Sequence, residues 1–229
     1  MLMRDIRKYV FALFVVLLVW VVVSRETPVE VNVLVLDPLS QGPNDIPSVV
    51  QVLNDNGYSV THVVGEDVTV ERLKNLGNAD ILIMRVHSSM QNDGVWVFSG
   101  EKYDPNSSVI EQLTNEVHRA RASTDDEYMF AVGSMFFDRY ISGVEGVPVL
   151  VMGCRAAGSR DLADIFLSKG ATMYVSWDGP ITLDYTDLVF SKILEYYAEG
   201  KNMAEAVDLT FTEYGVDSSY NSMLICFKK

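Results

Sequence analysis

Cysteine is scarce in this chain, with only Cys154 and Cys226 among 229 residues. Two cysteines allow at most one structural disulfide, so a framework of bridges cannot be what holds the fold. Basic residues are also in the minority, 18 Lys and Arg against 31 Asp and Glu, for a formal net charge of −13. Phosphate binding needs clustered Lys and Arg, so no nucleic-acid partner is expected and a basic substrate or partner would be attracted instead. A solvated acidic surface is the plainer source of the same charge. Internal repeats and low-complexity tracts are missing. At this length, with 48% hydrophobic residues, the chain holds one packed domain and a short accessory segment, with no second catalytic domain.

Long apolar runs are nearly absent too. The exception is Tyr9 to Val23, preceded by Arg4, Arg7 and Lys8. As a helix that run covers roughly 23 Å, short of the ~30 Å hydrocarbon core, a gap that flanking residues and bilayer thinning would close. A cleaved signal peptide is the alternative, but VVVSRETP has no small-x-small site. Residues 1–28 are therefore expected to be an uncleaved signal anchor and linker, a single-pass transmembrane helix with its N-terminus cytoplasmic. The domain at 29–229 would then lie outside.

Within that domain the apolar runs are of strand length. VNVLVLD (31–37), YSVTHVV (58–64) and ADILIMRVHSS (79–89) alternate with helical patterns at 44–56 and 70–77, which predicts a parallel sheet with right-handed crossovers. Residues 94–133 change texture: GVWVFSG, EVHRARAS and EYMFAVGS read as antiparallel hairpin material, a β-rich insertion. The parallel pattern returns with VPVLVMG (147–153), a helix at 159–168, ATMYVSW (171–177), helices at 185–198 and 203–214, and a last strand, SMLICF (222–227).

Ligands bind open parallel sheets at the carboxyl ends of the strands. Three such ends carry reactive or recognition groups: His87, Cys154 and the pair Trp177-Asp178. A thiol is mostly protonated at neutral pH, and a neighbouring imidazole can take its proton and later return it to a leaving amine. Main-chain N–H groups at the Gly153 turn could hold an oxyanion. The plain readings are a small core cysteine and a locally bonded histidine. His62 and His118, inside strands, read as structural, and Cys226, between Ile225 and Phe227, as core.

ILIMRVHSS and VLVMGCRAAG, in that order, make the sequence resemble the caspase-like cysteine peptidases, the group of caspases, gingipains, separase and CHAT domains. The likeness spans roughly residues 31–227 and is strongest from 147 to 207, through a Gly-Ala-strand-Trp segment and a Gly-Lys-x-x-x-x-Ala-Val stretch. It implies a three-layer α/β sandwich with a mostly parallel central sheet, and an endopeptidase acting on a peptide or protein. It further implies His87 as general base or acid, Cys154 as nucleophile, and Ser88 and Gly153 at the oxyanion turn. Trp177, Asp178 and Asp184 would line the substrate pocket, suiting Arg or Lys, although Asp184 and Asp187 read equally as helix N-terminal acids. Ser88 departs from the family's Gly, which opens the alternative of a catalytically silent binding or sensory domain. No cofactor and no metal are expected. A glutamine-amidotransferase-like hydrolase would need a His after the Cys, and none follows Cys154.

Overall fold

The computed structural model describes residues 31–42 and 44–229. The expected anchor and linker at 1–28 fall outside the described residues. Among those described, no helix is long and apolar enough to cross a membrane.

Four core strands, β1 (Asn32–Asp37), β2 (Ser59–Val64), β3 (Ile81–Met84) and, after an excursion, β8 (Pro148–Val151), run parallel and are joined by β9 (Met173–Trp177), also parallel. The last strand, β10 (Leu224–Lys228), closes the edge antiparallel to β9, so the six-stranded sheet has the order β10-β9-β8-β3-β1-β2. The fold is thus α/β with a mixed, mostly parallel sheet. β1, β3 and β8 are near-continuous apolar runs because successive side chains feed cores on opposite faces. Leu34, Leu36, Leu82 and Met84 enter one core, while Val33, Val35, Ile81 and Ile83 enter the other.

The second core is covered by α1 (Ser48–Asp55), α6 (Leu183–Ala198) and α7 (Met203–Tyr214). In α1, Val49, Val50 and Leu53 form the buried face. Gly57, at φ +77°, ends it as expected, since only glycine takes that conformation cheaply. The first core is covered by α2 (Val70–Lys74), α4 (Ser134–Tyr140) and α5 (Asp161–Ser168), which makes three layers.

The same face carries a four-stranded antiparallel sheet of order β4-β5-β7-β6, from β4 (Ser88–Gln91), β5 (Gly94–Lys102), β6 (Val117–Ala120) and β7 (Met129–Val132). It begins at Ser88, inside the run read from the sequence as one strand over 79–89. The chain leaves the parallel sheet after Met84, and Ser88 pairs with Val97 of β5. Between β5 and β6 stands a one-turn helix, α3 (Val109–Leu113).

Candidate active site

Because β1, β3, β8 and β9 are parallel, Asp37, the Arg85–His87 segment, Cys154 and Asp178 all emerge at one end of the sheet. The turn after β8 is held from several sides. Its Arg155 N–H donates to Gly179 C=O and its Ala157 N–H to Trp177 C=O, both at 2.9 Å. The buried Tyr174 hydroxyl donates to Ala156 C=O at 2.9 Å, and the Ser88 hydroxyl donates to Cys154 C=O at 2.7 Å. Arg155 sits at φ +57°, a left-handed conformation costly for a side-chain-bearing residue and kept only when its surroundings over-determine it. Gly153 packs against Ser88 so closely that a Cβ there would lie 2.3 Å from Ser88 Oγ. Ser88 therefore fastens the strand end carrying His87 to the turn carrying Cys154.

Ser88 also keeps its main-chain donor free of the ladder. Phe98 N–H donates to His87 C=O at 2.9 Å, which marks His87 and Phe98 as a hydrogen-bonded pair. Alternation along an antiparallel ladder then turns Ser88 N–H away from β5. Among the described residues, Cys154 N–H likewise has no protein acceptor.

His87 and Cys154 line the same cleft, of about 530 Å³. Cys154 is half-buried; its Sγ accepts from Ile181 N–H and can donate to Ile181 C=O, each at 3.5 Å. His87 is exposed at the mouth, its ring edge-on to Phe98 with 6.2 Å between centroids. Desolvation by the surrounding protein pulls the His87 pKa below its ordinary value; the charge of Asp126 opposes this and that of Arg85 adds to it. No hydrogen bond joins His87 to Cys154 among the described residues. The cleft's remaining walls are mostly apolar, from Leu39, Val86, Met129, Met152 and Leu183, and its carboxylates are Asp126 and Glu127.

Beneath the cleft is a buried charge network. Arg85 donates through Nε and Nη2 to the two oxygens of Asp187, at 2.9 and 3.0 Å, and through Nη1 to Asp37 at 2.9 Å. Asp37, wholly buried, also meets the Ser40 hydroxyl at 2.5 Å and His62 Nε2 at 3.3 Å. Burial pushes its pKa up, but the bonds from His62, Ser40 and Arg85 outweigh that and hold it below the ordinary carboxylate range.

The other expected pocket residues are placed elsewhere. Trp177 is fully buried, its indole N–H donating to Thr186 Oγ1 at 2.9 Å and its ring packed on Tyr185 and Phe190. It is a core residue, because β9 is covered on both faces. Asp178 spends its carboxylate on Met223 N–H at 2.7 Å. Asp184 is exposed in the first turn of α6, as a helix N-terminal acid, and Asp187 belongs to Arg85. The acids that do reach the cleft, Asp126 and Glu127, stand in the β6–β7 loop, where the sequence offers only a turn signal. Both cysteines are free thiols; burial pushes the Cys226 thiol pKa up.

Compared with protein-family models and with curated proteins, the chain matches none.

Proposed function

We propose that this chain is a caspase-like cysteine endopeptidase with His87 and Cys154 as its dyad, carried outside the membrane by the N-terminal anchor. The observation that supports the reading is a single cleft lined by an imidazole from the end of β3 and a thiol from the end of β8. In this reading His87, held neutral near pH 7, takes the thiol proton. The sulfur loses its bond to Ile181 C=O and keeps the one from Ile181 N–H. It attacks the scissile carbonyl carbon, and the oxyanion is met by main-chain N–H groups of Ser88 and Cys154 across the Gly153 turn. His87 returns the proton to the departing amine, and water then hydrolyses the thioester. A basic side chain suits the cleft: apolar walls receive an aliphatic stem, and Asp126 and Glu127 receive the charged head.

The silent binding domain is favoured by a different observation, that the Cys154 thiol bonds to Ile181 and not to His87. An acyloxymethyl ketone carrying Arg separates the two. Labelling of Cys154 that disappears in His87→Ala, with turnover of an Arg peptide, supports the peptidase. Labelling by iodoacetamide alone, with no turnover of any peptide, supports the silent domain.

A further inference from the structure

The antiparallel sheet has two faces with different fates. Val95, Val97, Phe130 and Val132 turn inward to the main core. The alternate residues Trp96, Phe98 and Ala131 form a small cluster of their own on the other face. That face carries an open groove of about 700 Å³, lined in part by His118, Arg119, Arg121 and Tyr128. Trp96 and His118 stack across it at 4.3 Å, which builds a flat floor.

One carboxylate, Asp93, also lines the groove and accepts from the Trp96 indole N–H at 2.9 Å, but among the described residues it forms no ion pair with the groove's arginines. Most Lys and Arg side chains of the domain, from Lys74 to Lys228, sit against a carboxylate. Among the described residues, Arg119 and Arg121 have no ion pair, and Arg121 uses one N–H on Thr124 C=O at 2.6 Å. Both guanidinium groups stand over the same Tyr128 ring, at 5.0 and 4.9 Å from its centroid. Two like charges sharing one ring at those distances lie less than about 10 Å apart. They repel each other and leave most of their N–H donors to solvent, an arrangement that an anion would relieve. The β6–β7 hairpin also sorts charge: Asp126 and Glu127 of its loop line the cleft, while Arg119 of β6 and Arg121 just beyond it line the groove.

We propose that this groove binds a short acidic peptide segment, whose carboxylates pair with Arg119 and Arg121. Side chains two apart in an extended peptide project on one face about 7 Å apart, a spacing that two guanidinium groups on one ring can meet. Gln91 and Asn92 on the groove wall offer amide partners to the peptide main chain. A nucleic acid fits less well, because its continuous charge needs many cations and meets a chain of net charge −13 beyond these two. The site stands apart from the dyad, with Phe98 as the residue common to cleft and groove.

Fluorescently labelled heptaglutamate, titrated with the full-length protein and followed by anisotropy, tests this. Saturable binding is expected, weakening as salt is added, and about tenfold weaker in Arg119→Gln/Arg121→Gln. Both arginines are exposed, and an unchanged melting temperature verifies that the variant is folded. Independently of any variant, hydrogen–deuterium exchange on the wild type should show heptaglutamate protecting β6 and the 121–128 loop. No saturable binding, equal affinity in the folded double variant, protection elsewhere, or tighter binding of an oligothymidylate of about ten nucleotides would each overturn the proposal.

Discussion

Arg85 carries its charge into the interior between two carboxylates, and both depend on it. Asp37 is wholly buried, so removing the guanidinium strands a charge that water cannot reach. Breaking a buried pair in this way costs about 3–5 kcal/mol. Arg85→Met should lower the urea-unfolding free energy by that order, and a loss below about 1 kcal/mol would show that the network contributes little to stability. The pH dependence follows from Asp37. Its folded pKa is depressed, so its contribution is fully present above the ordinary carboxylate value of about 3.9 and is lost as pH falls through the folded value. His87 is depressed as well, so its neutral form persists below the ordinary imidazole value of about 6.5. If it is the base, the acid limb of kcat/KM should have its midpoint below that value; a midpoint above it would mean that another group titrates. Asp37 and Arg85 are visible in the sequence as lone charges at the ends of apolar strands. Their partnership is not, because it depends on the parallel pairing of Leu36 with Met84.

At the scale of elements, the turn from Gly153 to Gly158 and the start of β4 form one unit. A methyl group at position 153 would strike Ser88 Oγ, so Gly153→Ala should cost about 1–3 kcal/mol as overpacking. Ser88→Gly removes the obstacle along with the bond to Cys154 C=O, itself worth about 1 kcal/mol. The double variant Ser88→Gly/Gly153→Ala should therefore be more stable than the sum of the single losses allows, read as a coupling energy in a double-mutant cycle. Strict additivity would mean that the two residues do not press on one another. The β6–β7 loop has a separate task in the peptidase reading. Asp126→Asn/Glu127→Gln should lower kcat/KM for Arg peptides about threefold to tenfold, a modest effect because both acids are exposed and Glu127 already meets Lys102 at 3.1 Å. Alkylation of Cys154 by iodoacetamide should be unchanged, and an equal loss on apolar peptides would remove the loop from specificity. Strand periodicity made β1, β8 and β9 legible. It gave no sign that the chain leaves the parallel sheet before Ser88, because the apolar run ADILIMRV continues past the point where β3 ends.

Seen whole, the domain gathers its charge unevenly. The cleft at the strand ends has acids on its rim, and the arginine-lined groove lies on the outer face of the antiparallel sheet. The parallel order of the central strands puts His87 and Cys154 at one end of the sheet, and that much follows from reading successive apolar runs as a βαβ series. Trp177 was beyond such reading, since a strand-end tryptophan can turn toward a ligand or into a core, and the packing of α6 decides it. The acids of the cleft were hidden for a similar reason: an insertion far along the chain folds back to supply them. The most direct test is hydrolysis of a fluorogenic Arg peptide by the purified full-length protein, measured beside Cys154→Ala and His87→Ala. Turnover by the wild type is expected, abolished in Cys154→Ala and reduced by about a hundredfold or more in His87→Ala. Turnover that survives in Cys154→Ala, or none in a wild-type protein whose Cys154 still reacts with iodoacetamide, would contradict the peptidase reading.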